Sequence, residues 1–341
     1  MHYLVTGHTG FKGAWLTVLL DSLGHQVSGL ARDPEPGSLF ERSDISTLLA
    51  HDIRADIRDP AAVSQAFAAV QPEILIHMAA QPLVRYSYAH PRETYETNVM
   101  GTYNVLEAAQ GQEALRAQVI VTTDKVYRNV GTMRGYTESD ALGGRDPYSA
   151  SKSMADILAS SWRDSYRTSP IGIARAGNVI GGGDVCEGRL LPDLLKAFAD
   201  GRPAHVRHPA AIRPWQHVLD CLAGYYLLSR ALMEGKFIGE WNFGPDPEDA
   251  VEVGQIATLA AELWGETAAW VQVEAGDLHE AQVLTLDSSR AHEALRWANQ
   301  LPHREAVEWT VEWTRRARRG EDPLELTREQ AARFLGLCGL D

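Results

Sequence analysis

Seven residues that follow the first apolar run decide the fold: Gly7-His8-Thr9-Gly10-Phe11-Lys12-Gly13. The run Tyr3–Thr6 before them predicts a strand, and Ala14–Ser22 after them has apolar residues at helical spacing. Glycines let the chain turn sharply and let backbone N–H groups approach a pyrophosphate, to which the helix N-terminus adds partial positive charge. In this context the spacing G-x-x-G-x-x-G predicts a dinucleotide site rather than a bare structural turn.

Strands and helices continue to alternate through the first half of the chain. Further strands are predicted at Gln26–Ala31, Ile53–Ala55, Ile74–Met78, Gln118–Thr122 and Ile171–Arg175, and helices at Ala61–Val70, Arg92–Gln110 and Ser149–Tyr166. Because the strands are largely apolar, we expect helices to cover both faces of the sheet. The pattern indicates an α/β protein with a Rossmann-type doubly wound parallel sheet.

The regular alternation ends near residue 180, where prolines, short strands and helices follow without a repeating order. We therefore expect two domains. The dinucleotide-binding Rossmann domain comprises residues 1–180 with a return segment of about 213–244. A smaller mixed α/β C-terminal domain, which binds the substrate, comprises residues 181–212 and 245–341.

Composition excludes several classes of function. The 341 residues are 45% hydrophobic and 23% charged, as in ordinary soluble proteins, and the net charge of −13 argues against a nucleic-acid partner. No apolar run approaches the ~20 residues that span a membrane, and no signal peptide precedes the first strand, so we expect a cytoplasmic protein. The cysteines, Cys186, Cys221 and Cys338, lack metal-ligand spacing, and we expect no metal and no disulfide.

A tyrosine and a lysine four residues apart begin a predicted helix, in the stretch Tyr148-Ser149-Ala150-Ser151-Lys152. Side chains at this spacing share one helix face. The pKa of a free phenol is about 10, so a tyrosine base at neutral pH needs ~4 kcal/mol of preferential phenolate stabilisation. The Lys152 cation and the positive nicotinamide of an oxidised cofactor can supply it. Together with the glycine loop, the pair predicts hydride chemistry at a hydroxyl rather than a chance surface pair.

Several other segments, distributed over nearly the whole chain, are also distinctive. They are Asn98 with its neighbours Thr97–Thr102, Thr123, and the blocks Arg175–Asp184, Ile212–Val218 and Trp241–Pro245. With the glycine loop and the Tyr148–Lys152 pair, they resemble the extended short-chain dehydrogenase/reductase family. Members of that family act on nucleotide sugars, so the resemblance implies an NAD-dependent enzyme with such a substrate.

The stretch Thr123-Asp124-Lys125 resembles the sugar-nucleotide 4,6-dehydratases within that family. There a Ser or Thr binds the C4 hydroxyl and an acid/base pair follows it, with glutamate in many members where Lys125 stands here. The resemblance implies that Thr123 positions the hydroxyl, Tyr148 takes its proton, Asp124 protonates the departing C6 oxygen and Lys125 removes the C5 proton. A lysine base must be neutral, which burial or a nearby cation favours. Without the resemblance, a strand-end ion pair explains Asp124 and Lys125 equally well.

NAD is the implied cofactor, although one neighbouring pair leaves NADP open. Asp33, at the end of the second strand, suits the ribose hydroxyls, whereas Arg32 suits a 2′-phosphate, and both could be solvated loop residues. Asp56 and Ile57 suit an adenine pocket. The other expected cofactor contacts are Gly7, Thr9, Gly10, Phe11, Gly13, Ala79, Ala80, Asn98, Tyr148 and Lys152.

The resemblance implies a CDP-hexose as substrate, although no residue reads the cytosine by a physical rule. Asn178, Arg189 and Arg213 are candidates to hold its diphosphate, because arginine forks match phosphate oxygens, but each could be an ordinary surface residue. His217 is equally compatible with a structural role. The remaining substrate candidates are Gln81 and Arg85, at the carboxyl edge of the sheet, and His279 and Glu280.

Two further expectations follow from the resemblance. The first is a homodimer in which the helices Arg92–Gln110 and Ser149–Tyr166 form a four-helix bundle. The second is a 4-keto-6-deoxy product, with the cofactor oxidised again at the end of the cycle.

Three alternatives stay open. A nucleotide-sugar 4-epimerase shares the fold and the Tyr–Lys pair but needs no acid/base pair for the C5 proton and the C6 hydroxyl. A 4,6-dehydratase for another nucleotide hexose fits the same residues. A cofactor-sensing regulator typically lacks the tyrosine or the lysine.

Overall fold

The computed structural model describes residues 1–265, 267–274 and 281–340. The strands of this part of the chain are β1 (His2–Thr6), β2 (Gln26–Ala31), β3 (Leu49–Arg54), β4 (Ile74–His77), β5 (Ala117–Val121), β6 (Ile171–Ala176), β7 (Asn178–Ile180), β8 (Ala204–Val206), β9 (Ile212–Arg213), β10 (Trp215–His217), β11 (Gly239–Phe243), β12 (Val251–Glu252) and β13 (Trp270–Gln272).

The α-helices of the same residues are α1 (Phe11–Ser22), α2 (Pro60–Val70), α3 (Val84–Ala89), α4 (Pro91–Tyr95), α5 (Gly101–Ala109), α6 (Pro147–Ser165), α7 (Leu190–Ala199), α8 (Val218–Met233), α9 (Val253–Trp264), α10 (Ser289–Leu295), α11 (His303–Arg318) and α12 (Pro323–Cys338). None of these helices has the length and apolar character needed to cross a membrane.

The central sheet has the order β11-β6-β5-β4-β1-β2-β3, and every neighbouring pair is parallel. Helices cover both of its faces and form two apolar cores. One core contains Trp15 of α1 and Tyr225 of α8, and the other contains Phe67 of α2 and Trp162 of α6. This arrangement confirms the predicted doubly wound α/β fold.

Two boundaries differ from the predictions for local physical reasons. The third strand begins at Leu49 rather than Ile53, because an edge strand with exposed residues carries a weak apolar signal. The sixth helix begins at Pro147, since Asp146 caps it by accepting the N–H of Ser149 at 2.9 Å. This cap sets the orientation of the first helical turn, which carries Tyr148.

The predicted helix Arg92–Gln110 is interrupted by a π-helical turn. The segment runs through α4, the π turn Glu96–Met100 and α5, and Asn98 lies within the turn. Single π turns inside helices often occur at functional sites, because they redirect side chains that a regular helix would turn away.

The remaining strands form small pairs outside the main sheet: β7 with β10, β8 with β13, and β9 with β12. They pack with α7, α9 and α11 in the mixed α/β arrangement that was expected for the C-terminal part. Leu194, Ile256 and Trp309 from these helices belong to the same apolar core as Trp15 of α1. The expected domain boundaries stay a prediction, since this core continues from the sheet into the later segments.

Candidate active site

The glycine loop forms a tight turn at the carboxyl end of β1. Gly7 has a φ of +81°, and its N–H donates to the Leu30 carbonyl at 2.9 Å. A Cβ at Gly13 would lie 2.1 Å from the Gly7 carbonyl oxygen, so only glycine allows this approach of helix and strand. The resulting cradle at the N-terminus of α1 fits the pyrophosphate of a dinucleotide.

Hydrogen bonds hold the strand ends around this loop. The Thr9 hydroxyl donates to the Arg32 carbonyl at 3.0 Å, and the Thr6 hydroxyl accepts from the N–H of Ala79 at 3.2 Å. A Cβ at Gly7 would meet that same Ala79 nitrogen at 2.9 Å. Ala79 therefore lies directly beside the loop, as expected, and the half-buried Ala80 follows it.

The expected adenosine residues lie at the ends of β2 and β3. Asp33 is exposed, and so is Arg32, which forms only a long ion pair of 3.8 Å with Glu93. Although burial acts to raise it, hydrogen bonds from Arg58 hold the pKa of the Asp56 carboxyl below its ordinary value. The neighbouring Ile57 is buried against Gly101, where a Cβ would meet its Cδ1 at 2.5 Å. The arrangement resembles the predicted pairing of a polar group with an apolar contact.

The expected catalytic residues meet at a large cavity on the carboxyl side of the sheet. The cavity has a volume of about 700 Å³, and Thr123, Asp124, Lys125 and Tyr148 all line it. Thr123 lies two residues after the end of β5, and Tyr148 lies in the first turn of α6. Phe11 of the glycine loop also lines the cavity, so the expected cofactor and catalytic residues share one space.

The Tyr148–Lys152 pair is buried more deeply than its sequence suggests. Burial raises the pKa of Tyr148 to about 12, while a hydrogen bond with Thr123 opposes the rise. Burial and the nearby Lys12 lower the pKa of Lys152 to about 8, against the opposing effect of Asp156. The Lys152 ammonium donates to the Val121 carbonyl at 2.8 Å. Because burial raises the pKa of Tyr148, a base at this position needs positive charge nearby, and the expected contributions of Lys152 and of an oxidised nicotinamide stay a prediction.

Asp124 is almost fully buried at the cavity wall. Its Oδ1 accepts from the Thr123 hydroxyl at 2.9 Å, and its Oδ2 has no hydrogen-bond partner among the residues that the structure describes. Burial raises the pKa of Asp124, although Lys125 and the Thr123 hydrogen bond oppose the rise. A carboxyl group with a raised pKa and an oxygen without a hydrogen-bond partner among these residues suits a proton donor.

Asn98 is buried and connects the loop after β4 to α6. Its Oδ1 accepts from the Gln81 N–H at 2.8 Å, and its Nδ2 donates to the Ser151 hydroxyl at 2.9 Å. The Gln81 side chain donates to Thr94 at 2.9 Å and to the Leu83 carbonyl at 3.2 Å, and it is not among the residues that line the cavity. The geometry favours positioning roles for both residues, and their expected ligand contacts stay predictions.

Four of the expected substrate residues, Asn178, Arg189, Arg213 and Arg85, line the same cavity, and we call the part lined by Asn178, Arg189 and Arg213 its arginine-lined part. Arg189 forms an ion pair of 2.9 Å with Asp184. Arg213 donates to the Ile212 carbonyl at 2.8 Å, so a backbone contact fixes its guanidinium. The predictions for His279 and Glu280 lie outside the described residues.

Sequence reasoning missed several residues of this cavity. His205, Arg207 and His208 also line the cavity and add basic groups to it. The signal that could have revealed them is the short basic stretch that follows Pro203. Lys12 also lines the cavity, and a charged residue inside the glycine motif was a visible sign of it.

His217, for which two roles were open, has a structural one. Its ring packs edge-on between Trp15 and Trp309, with ring centroids 5.8 Å and 5.6 Å away, and it accepts the Leu219 N–H at 3.3 Å. Burial lowers the pKa of His217 to about 3, so the ring is neutral at physiological pH.

A buried ion pair supports the catalytic strand from below. Arg175 of β6 bonds to Asp156 of α6 at 2.7 Å and 2.9 Å, and Thr122 donates to the same carboxylate at 2.9 Å. Arg175 also donates to the Tyr127 hydroxyl at 3.0 Å. Because a broken buried pair leaves an uncompensated charge, this network fixes the turn that carries Thr123 and Asp124.

Comparisons with known proteins agree with this geometry. Residues 3–244 match the model of the NAD dependent epimerase/dehydratase family. The chain is 43% identical to CDP-glucose 4,6-dehydratase of Salmonella typhimurium, over 97% of this chain and 95% of that protein. It is 30% identical to a probable dTDP-glucose 4,6-dehydratase of Sinorhizobium fredii, over 92% of each chain.

A solved structure shares the fold. DesIV, a dTDP-glucose 4,6-dehydratase of Streptomyces venezuelae with NAD and TYD bound, superposes with a TM-score of 0.82 at 24% identity. The alignment covers 95% of this chain and 100% of that one.

Proposed function

The chain belongs to the NAD-dependent epimerase/dehydratase family, and we propose that it is a CDP-glucose 4,6-dehydratase that converts CDP-D-glucose to CDP-4-keto-6-deoxy-D-glucose and water. The observation that carries this proposal is the meeting of Thr123, Asp124, Lys125 and Tyr148 at one cavity wall. A near full-length relative with the same activity in its name, 43% identical, supports it.

The residues at the N-terminus of α1 fit NAD, which is the cofactor of this family. Gly13 lets α1 approach the turn at Gly7 closely, so that the helix N-terminus can face a pyrophosphate, and the exposed Arg32 and Asp33 build no enclosed site for a 2′-phosphate. NAD bound there would supply hydride transfer, as the acceptor of the C4 hydride of the hexose and later as its donor to C6.

Tyr148 and Thr123 act on the C4 hydroxyl. Thr123 positions the hydroxyl, and Tyr148 removes its proton as C4 becomes a ketone. The buried Lys152, whose pKa is lowered to about 8, supplies positive charge beneath the phenol as long as it keeps its proton. Because burial raises the pKa of Tyr148 to about 12, proton removal depends on this charge and on the cofactor charge together.

Asp124 and Lys125 act on the next carbon atoms. The C4 ketone acidifies the C5 proton, which Lys125 removes as the base and returns to C5 when the hydride reaches C6. Asp124, whose pKa burial raises, donates a proton to the departing C6 oxygen, so the C6–O bond breaks and water leaves. An elimination needs both groups beside the sugar, whereas a 4-epimerase needs neither, so this pair favours the dehydratase.

We assign the CDP group to the arginine-lined part of the cavity. Arg189, Arg207, Arg213 and Asn178 line the cavity, and the arginine charges match phosphate oxygens. We assign sugar contacts to Arg85 and Gln81, and nucleotide contacts to His279 and Glu280.

The substrate domain comprises residues 181–212 and 245–341, and the dinucleotide domain residues 1–180 and about 213–244. The residues that we assign to the CDP group come from both sets, so the substrate would contact both domains. We also propose a cytoplasmic location.

The assembly that we propose is a homodimer. Met100 beside α5 and Met154 and Ile157 on α6 are apolar and 48–55% exposed, on neighbouring helices of one surface. A four-helix bundle with a second copy would cover them. An Ile157→Glu variant should elute as a monomer in size-exclusion chromatography with light scattering, whereas a variant that remains dimeric would exclude this surface.

The decisive experiment is incubation of the purified protein with NAD and, in separate reactions, CDP-, dTDP-, UDP- or GDP-glucose. We expect a 4-keto-6-deoxy product from CDP-glucose alone. A C4-inverted hexose without a keto product would identify an epimerase, and turnover of another nucleotide would overturn the cytidine assignment. An Asp200→Asn variant, changed at an exposed surface acid, serves as the matched control.

A further inference from the structure

A series of buried hydrogen bonds connects the end of β1, where the glycine loop begins, to the first turn of α6. Its side chains are those of Thr6 in β1, His77 in β4, Asn98 in the π turn, Thr102 in α5 and Ser151 in α6. Each of these residues is at most 2% exposed. Because the series ends at the backbone of Tyr148, we call it the Thr6–Tyr148 network.

The partners of the Thr6 hydroxyl determine the direction of the first bonds. The hydroxyl accepts the N–H groups of Met78 at 3.1 Å and Ala79 at 3.2 Å, so both of its lone pairs are in use. Its single hydrogen is therefore donated to His77 Nδ1, which lies 2.7 Å away. An imidazole that accepts at Nδ1 carries its proton on Nε2, and this nitrogen donates to the Thr102 hydroxyl at 3.0 Å.

Only a neutral imidazole fits between these two threonines. A proton on His77 Nδ1 would find no acceptor, because the lone pairs of the Thr6 hydroxyl already accept backbone N–H groups. Burial lowers the pKa of His77 to about 3, and the charge of Lys152 acts in the same direction. The ring is therefore neutral at physiological pH, and the network keeps one arrangement of its hydrogen bonds.

The second half of the network passes through the π turn. The Thr102 hydroxyl donates to the Asn98 carbonyl at 2.7 Å, and Asn98 Nδ2 donates to the Ser151 hydroxyl at 2.9 Å. The Ser151 hydroxyl in turn donates to the Tyr148 carbonyl at 2.7 Å. The π turn thus connects the ring of His77 to the helical turn that carries the phenol.

We propose that His77 and Thr102 are positioning residues, which hold the first turn of α6 at a fixed place relative to the glycine loop. The inference rests on the proposed function in one respect, namely that Tyr148 acts on a hydroxyl beside the cofactor. A buried polar network whose members are all satisfied makes its surroundings rigid and favours a single arrangement. Since a misplacement of about 1 Å can slow a reaction by about 10²-fold, such rigidity matters between the phenol and the cofactor site.

Two threonines of the chain make the same kinds of bond, which provides a matched control. Thr102 accepts a ring N–H and donates to the carbonyl four residues earlier. Thr327 of α12 accepts the ring N–H of Trp313 at 3.1 Å and donates to the Pro323 carbonyl at 2.7 Å. Both threonines are buried, but Thr327 is not part of the network. Thr102→Val and Thr327→Val should therefore lose similar thermal stability.

The first measurement is amide hydrogen exchange of the protein without cofactor or substrate. In Thr102→Val, residues 147–155 should exchange about five- to tenfold faster, as expected when one buried hydrogen bond is lost. In Thr327→Val the exchange of these residues should remain at the wild-type rate. Thr102→Ser keeps the hydroxyl and should restore the wild-type exchange.

The second measurement is the single-turnover reduction of bound NAD by the sugar nucleotide that the wild type consumes. The rate should fall about 10- to 100-fold in Thr102→Val, because the phenol is misplaced, and less than about twofold in Thr327→Val. The apparent affinity for the sugar nucleotide should change less than about twofold in both variants. Thr102→Ser should recover most of the rate.

Three results would overturn the proposal. Equal effects of Thr102→Val and Thr327→Val on exchange and rate would mean that the network contributes only to stability. Unchanged exchange of residues 147–155 in Thr102→Val would show that the network does not hold α6, and faster exchange with an unchanged rate would show that its rigidity is irrelevant to the reaction. If thermal melting shows that Thr102→Val does not fold, Ser151→Ala interrupts the network at its other end and takes its place in both measurements.

Failure of this inference is distinguishable from failure of the proposed function. The exchange measurement needs neither cofactor nor substrate, and reduction of NAD at C4 is common to a dehydratase and an epimerase. The identity of the product, which tests the proposed function, is determined separately with the wild-type protein.

Discussion

The carboxyl end of the sheet and the arginine-lined part of the cavity hold their polar side chains in different ways. At the carboxyl end of the sheet, Thr123 and Asp124 come shortly after the buried strand β5, and Tyr148 lies in the first turn of the capped helix α6. In the arginine-lined part, Asp184 holds Arg189 through an ion pair, and a backbone carbonyl holds Arg213. Secondary structure thus positions the groups that need accurate geometry for chemistry, whereas ion pairs and backbone contacts hold the long arginine side chains that we assign to recognition.

Removal of the Tyr148 hydroxyl should have the largest effect on turnover. A Tyr148→Phe variant loses the base for the C4 hydroxyl, so kcat for keto-product formation should fall by about 10³-fold. Tyr226→Phe is the control, because that hydroxyl bonds to His25 outside the cavity. Turnover of Tyr148→Phe within tenfold of the wild type would contradict the assignment.

The next largest effect tests Asp124 without removing its shape. Asp124→Asn keeps an oxygen acceptor for Thr123 but cannot protonate the C6 oxygen, so dehydration should slow by about 10²-fold. Oxidation at C4 should persist, and enzyme-bound NADH should accumulate as absorbance at ~340 nm, the reduced nicotinamide band. Equal loss of both half-reactions would show that Asp124 serves structure instead.

A substitution in the arginine-lined part of the cavity should affect only the binding of the sugar nucleotide. Arg207→Ala removes one charge from the expected diphosphate position, and charge-assisted hydrogen bonds of about 1.5–3 kcal/mol correspond to a KM increase of roughly tenfold or more. We expect kcat to change less than about twofold, because a charge that binds only the diphosphate stabilises the ground state and the transition state equally. Arg202→Ala, at an exposed arginine, is the matched control. A fall in kcat with unchanged KM would remove the distinction between the two regions.

The smallest effect is a change in pH dependence. Burial lowers the pKa of Lys152 to about 8, so its ammonium is present below that pH and is lost as the pH rises through it. Because the ammonium stabilises the phenolate, kcat should decline above pH about 8. In Lys152→Arg the charge persists, and this decline should move to higher pH even if the maximal rate is lower. Lys196→Arg, at an exposed lysine, should keep the wild-type profile.

Local patterns were sufficient for the fold and for the reaction centre. The glycine loop, the apolar strands and the Tyr148–Lys152 spacing are short segments whose geometry depends mainly on neighbouring residues. For that reason β1, β2, β4, β5 and β6 were placed within a residue or two. The edge strand β3 was recognised only in part, since half-exposed residues weaken the apolar pattern.

Contacts between distant segments could not be obtained in this way. The Gln81 amide bonds to Thr94 and to the Leu83 carbonyl, which its sequence position did not indicate, and its sugar contact stays a prediction. The raised pKa of Tyr148 depends on burial, which the spacing of two residues does not reveal.

The sequence by itself determined a dinucleotide loop, a parallel sheet and a Tyr–Lys centre with an adjoining acid and base, because each is encoded within a few neighbouring residues. Only the tertiary structure decided which charges meet at the cavity. Lys12 and Tyr225 are separated by 213 positions, and they come together because α1 and α8 pack on the same face of the sheet. Side-chain burial and charge contacts depend on that packing, and no local pattern contains it.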